Sequence, residues 1–210
     1  MSVELPSTDT SWWGRWARRG RRLLTPDRTA RRRRAAAARL YAAAVAQARH
    51  PGFYTDLGVA DTHDGRLELV QLHVILLLRR LQRGGPEGQA LGQALFDAFF
   101  RDLDRSLREG GVGDLSVGKW VKKIGQQFYA RATALEPALE HGDAAALEDA
   151  LTDNVYAAGR AEGTEGARRL AAYLLRADAA LAAQTRAGDP LDSLRPGDVD
   201  PIHTGSPATA

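Results

Sequence analysis

RLELVQLHVILLLRRL, residues 66–81, decides the fold of this chain. Leu67, Leu69, Val70, Leu72, Val74, Ile75, Leu76, Leu77, Leu78 and Leu81 leave the run almost no polar side. It is too short to span a bilayer, and Glu68, Gln71 and His73 interrupt it. A helix that is apolar nearly all round must be wrapped by other elements, so this is the central helix of a core. His73, beside Val70, Val74 and Leu77, reads as a core or boundary histidine with one satisfied hydrogen bond rather than a catalytic group. Arg79, Arg80 and Arg83 suit the C-terminal end, where the backbone dipole favours cations.

Outward from this run every periodic segment reads as helix. Upstream, Leu40, Tyr41, Val45 and Ala48 line one side of a first helix over 31–48, ended by Pro51 and Gly52. Phe53, Tyr54 and Leu57 are loop aromatics and aliphatics tucked onto the core. Asp61, His63 and Asp64 match no metal-ligand spacing and read as an acidic turn with a helix cap. Downstream, Phe96, Phe99, Phe100, Leu103 and Leu107 recur at helical spacing among charged residues, with Asp97–Arg101 and Asp104–Arg108 as acid-first pairs four apart. Gly110, Gly111 and Gly113 stop that helix. Asp114 or Ser116 caps another over 117–139, whose stripe is Trp120, Ile124 and Phe128 with Val121 and Tyr129 beside it. Asp143 caps a fifth helix and Thr164 a sixth. The remainder is rich in proline, glycine and aspartate, with little to bury. The spacing therefore predicts an all-α, compact single-domain bundle of about six helices. A flexible basic arm occupies 1–34, the helical domain 35–184 and a disordered tail 185–210.

The 210 residues include no cysteine, which excludes disulfides and thiolate chemistry. The net charge of +3 hides an asymmetry: twelve arginines lie within residues 1–49, against Glu4, Asp9 and Asp27. The folded body is acidic and no general polyanion binder. Trp12, Trp13, Trp16, Arg18, Arg19, Arg21, Arg22, Arg31, Arg32, Arg33 and Arg34 make the arm a candidate contact for an anionic membrane surface or for RNA. A basic tail with no specific partner fits the same residues. No continuous apolar leader precedes them, so the expected location is cytoplasmic, or peripheral on the inner face of the cytoplasmic membrane. A helix-turn-helix can be drawn across the glycine turn, but few side chains suit base edges, and DNA is not expected as a partner.

The residues bear on two function classes. As an enzyme the chain is poor. Asp97, Asp102 and Asp104 lack a second converging acidic motif and have arginines within reach, and no serine, histidine and acid combination stands out. No metal or cofactor is expected. As a binding module it is better furnished, because aromatics beside arginines at 96–108 and 120–131 are the residue types that anchor protein interfaces.

The strings FYTDLGVADTHDGRLELVQLHVILLLRRL and LFDAFFRDLDRSLREGGVGDLSVGKWVKKIGQQFYAR together resemble the ubiquinol-cytochrome c chaperone family over roughly residues 35–173. The matching positions are Asp64, Gly65, Arg66, Leu72 and His73 in the first string. In the second they are Phe96, Asp97, Phe100, Arg101, Asp102, Asp104, Arg105, Arg108, Glu109, Gly111, Gly113, Asp114, Gly118 and Lys119. Phe99, Leu103 and Gly110 depart from methionines of that family's pattern, which reshapes any groove floor. The resemblance implies no enzyme but an assembly chaperone that binds newly made cytochrome b and assists its incorporation into ubiquinol-cytochrome c reductase. A partner assembly subunit and the ribosome are further implied contacts. The expected client site is a clamp, with the charged helix and glycine turn as one wall and the helix from Val117 as the other. Its residues are Phe96, Phe100, Arg101, Asp104, Arg105, Arg108, Gly111, Gly113, Asp114, Lys119, Trp120, Lys123 and Phe128.

Overall fold

A computed structural model describes residues 28–156, 162–186 and 190–202. Among them the elements are α1 (Arg28–Ala48), α2 (Gly52–Thr55), α3 (His63–Gln82), α4 (Gly85–Glu109), α5 (Asp114–His141), α6 (Ala144–Asn154) and α7 (Glu162–Arg186). Single 3-10 turns follow at Leu191–Ser193 and Pro196–Asp198, and no strand occurs among the described residues. The bundle is all-α as the periodicity predicts, the added helix being the one-turn α2.

Helix α3 is the axis. Thr62 caps it, its hydroxyl accepting from the Gly65 amide at 3.1 Å, and Asp61 pairs with Arg66 at 2.6 Å. Leu69, Leu72, Val74 to Leu78 and Leu81 are all buried, because α1, α4 and α7 pack around the helix. Helices α6 and α7 pair, and α5 joins the α4 side of the bundle to α6. Alanines 36, 37, 44 and 48 of α1 are buried, and their small side chains let that helix lie close against its neighbours.

Ionic side chains dock α5 onto α3. Arg79, only 2% exposed, donates two hydrogen bonds to Asp178 of α7 at 2.8 and 2.7 Å and one to Glu140 of α5 at 2.5 Å. Its Nε stands 3.3 Å from Glu136. Arg131 of α5, equally enclosed, pairs with Glu68 and donates to Gln71 of α3 at 2.8 Å. Burial raises the Glu68 carboxyl against the opposing pull of Arg131. Arg79 thus does more than sit favourably on a helix dipole: it ties three helices together.

Two expectations at the chain ends need correction. The described part of helix α1 runs from Arg28, so Arg31, Arg32, Arg33 and Arg34 belong to a formed helix, as the 31–48 reading expects, and not to the flexible arm drawn over 1–34. Residues 190–202, expected to lie in a disordered tail, pack on the bundle. Leu194 is 3% exposed, Leu191 lies over Gly84 and Gly88, and Ile202 lies against Gly52. Gln184 clasps Arg195, donating to its carbonyl at 3.2 Å and accepting from its amide at 2.9 Å. The arm residues Trp12, Trp13, Trp16, Arg18, Arg19, Arg21 and Arg22 lie outside the described residues.

Candidate functional site

Helices α4 and α5 form an antiparallel hairpin that carries every residue of the expected client site. Gly111 makes its turn possible: the backbone there has φ +82°, which a side chain would strain. Arg108 then staples the turn from outside, donating to Asp104 at 2.8 Å within α4 and pairing with Asp114 at the start of α5. Arg105 pairs with Asp102, which also accepts from the Tyr41 hydroxyl of α1 at 2.8 Å. Burial first, then the Asp102 hydrogen bond and charge, raise the Tyr41 phenol well above its usual range. Asp97 accepts from Gln93 at 3.0 Å instead of pairing with Arg101, and Arg101 has no carboxylate partner among the described residues.

The aromatic side of α4 does not form an open wall. Phe96 stacks against Phe100 at 4.6 Å between centroids, against Phe128 at 5.8 Å and against Tyr129 at 5.9 Å. Phe99 meets Phe128 at 5.4 Å and Tyr41 at 6.2 Å. Gly125 lies against the Phe100 ring, where a Cβ would make an ordinary contact at 3.4 Å. The two helices expected to face each other across a groove are therefore packed on each other. Phe128, 1% exposed, is core and not surface, whereas Phe96 and Phe100 are half-buried with their edges at the hairpin's side.

Trp120 lies elsewhere. It stands five residues before Gly125, about 140° around the helix, and so does not share the side of α5 that packs on Phe100. It is 45% exposed, with Lys123 Nζ 5.1 Å from its ring centroid. Lys119, Lys122 and Lys123 are exposed and without a carboxylate partner among the described residues. The expected residues thus divide into two surfaces: Phe96, Phe100, Arg101, Asp104, Arg105, Arg108, Gly111, Gly113 and Asp114 on α4 and the turn, and Lys119, Trp120 and Lys123 on α5.

Sequence reasoning missed a buried polar chain behind the hairpin. His73 Nδ1 lies 2.7 Å from the Leu69 carbonyl, which can only accept, so Nδ1 carries the proton. Nε2 then accepts from the Tyr173 hydroxyl at 2.7 Å, that hydroxyl accepts from Gln47 Nε2 at 3.1 Å, and the same amide donates to the Val199 carbonyl at 2.8 Å. His73 makes two hydrogen bonds where one was expected, and Phe53 packs edge-on against both its ring and that of Tyr173. Complete burial brings the imidazole down to about 4. The partners lie on separate helices far apart in sequence, so no local pattern announces them. No histidine and acid cluster able to hold a metal occurs among the described residues, and none of their helices is long and apolar enough to cross a membrane.

Comparison with known proteins adds three findings. The ubiquinol-cytochrome C chaperone family matches residues 55–188, from the end of α2 to just past α7. The crystal structure of the Cbp3 homolog from Brucella abortus is similar to this chain at 37% identity and TM-score 0.67, covering 82% of this chain and 91% of that one. No curated protein matches.

Proposed function

The chain belongs to the ubiquinol-cytochrome C chaperone family, and from that premise we propose that it binds newly made cytochrome b and assists its maturation into ubiquinol-cytochrome c reductase. The family match carries the reading, since it takes in the whole α4–α5 hairpin and the α3 axis behind it. The exposed side of α4 supplies the client surface. There Phe96 and Phe100 are half-buried and Arg101, next in the chain, is exposed with its guanidinium unspent, while the Asp104–Arg108–Asp114 staple holds the turn in shape. Aromatic edges give apolar contact, and a free guanidinium beside them fixes the register of a bound segment. The arm residues, a partner assembly subunit and the ribosome are further contacts within the same proposal.

A tagged chain expressed in its native membranes, crosslinked briefly and purified, tests this directly. Cytochrome b without mature reductase subunits is the expected yield, and Arg101→Glu, which touches no internal partner, is expected to reduce it about tenfold, the cost of removing one interfacial charge contact. Recovery of RNA without cytochrome b would overturn the reading and leave the arginine-rich N-terminal segment as the functional part.

A further inference from the structure

Between Asp114 and Glu136 the chain carries no acidic residue, and this stretch holds all three of its lysines. Every other basic side chain, twenty-six in number, is arginine. Helical spacing sets Lys119, Lys123 and Gln127 in one row along α5 with Trp120 at its border, while Lys122 lies about 160° around the helix from Trp120, on the far flank of the row. Trp120 is the most exposed large hydrophobic side chain among the described residues, although Val117 and Ile124 on the same helix are buried. Neither the core nor an ion pair accounts for this face.

We propose that this side of α5 seats the protein on an anionic phospholipid bilayer, with Trp120 in the headgroup layer and Lys119 and Lys123 against lipid phosphates. The residue types choose between a bilayer and an acidic protein. Interfaces between proteins favour tryptophan together with arginine and are depleted in lysine. This chain uses arginine everywhere else and lysine only here. Lysine's long stem lays apolar carbon along the interface while its ammonium reaches the phosphates, and tryptophan is enriched at that same depth. With no carboxylate on the face, nothing repels the lipid charge. The inference goes beyond the client reading and does not depend on it.

Trp12, Trp13 and Trp16 replaced together by phenylalanine in the full chain leave Trp120 as the sole tryptophan. Added to phosphatidylcholine vesicles containing phosphatidylglycerol, Trp120 is expected to shift its emission to the blue and to be quenched by brominated acyl chains, and to do neither with phosphatidylcholine alone. Each lysine near an anionic surface changes partitioning about fivefold, so Lys119→Gln and Lys123→Gln combined should weaken it about 25-fold. Vesicle binding with Trp120 emission unchanged would overturn the proposal, as would a double variant that partitions like its parent. A Trp120 that ignores vesicles but shifts with an acidic peptide would overturn it too and mark the face as a protein interface. The assay contains no cytochrome b, so its failure leaves the client reading standing.

Discussion

His73 makes the stability of this protein depend on pH in a window that can be calculated. Its folded-state value lies at about 4 because burial penalises the imidazolium, against 6.5 for the ordinary side chain. Between those two values the unfolded chain binds a proton that the folded chain refuses, so stability falls as pH falls from about 6.5 and the loss is complete near pH 4. The difference amounts to about 3 kcal/mol at about 1.4 kcal/mol per unit. Above the unfolded value the contribution is constant. With a urea slope of about 2 kcal/mol/M for a domain of this size, the midpoint should drop by about 1.5 M across the window. Carboxylates titrate in the same range, Glu68 among them, so the informative quantity is the difference between the natural chain and His73→Gln. Glutamine does not titrate, and the carboxylates are common to both proteins. Urea unfolding at closely spaced pH values should show the variant less stable at neutral pH and converging on the natural chain toward pH 4. Parallel curves, or an imidazole that titrates near 6.5 by NMR in the folded protein, would refute the reasoning.

Two further substitutions test the packing. Arg79→Met strands Asp178 and Glu136 beside an apolar side chain, Glu140 keeping Arg83, and should cost about 3–5 kcal/mol by urea unfolding; Arg79→Lys should recover little, because an ammonium cannot form the two-pronged bond to Asp178. Gly65→Ala would put a Cβ 2.0 Å from the Ala60 carbonyl oxygen and should cost more than about 2 kcal/mol, whereas Gly118→Ala, with nothing within 4 Å, should raise stability by about 0.5–1 kcal/mol in thermal melts.

What the sequence discloses and what it hides divide along a physical line. A helix that buries one face must repeat its apolar residues every three to four positions, so α1, α3, α4, α5 and α7 are legible from spacing alone, as is the need to wrap α3. Burial by ion pairing leaves no such period. Arg79 and Arg131 look like solvent-facing breaks in the apolar pattern, yet both are enclosed because carboxylates from other helices meet them. The same holds for residues 190–202: composition marks them as unable to form a core, but Leu191 needs only the notch that Gly84 and Gly88 leave open on a core already built, and Leu194 is buried three residues on. The hairpin shows the limit in its sharpest form. Phe100 and Trp120 are equally aromatic, equally flanked by cations and equally plausible as anchors in sequence. Which side of α5 faces inward separates them, and the buried Val117, Ile124 and Phe128 mark that side. The apolar period of α5 thus leaves Phe100 at the helix seam, against Phe96, Phe99 and Phe128, and Trp120 facing outward among the lysines.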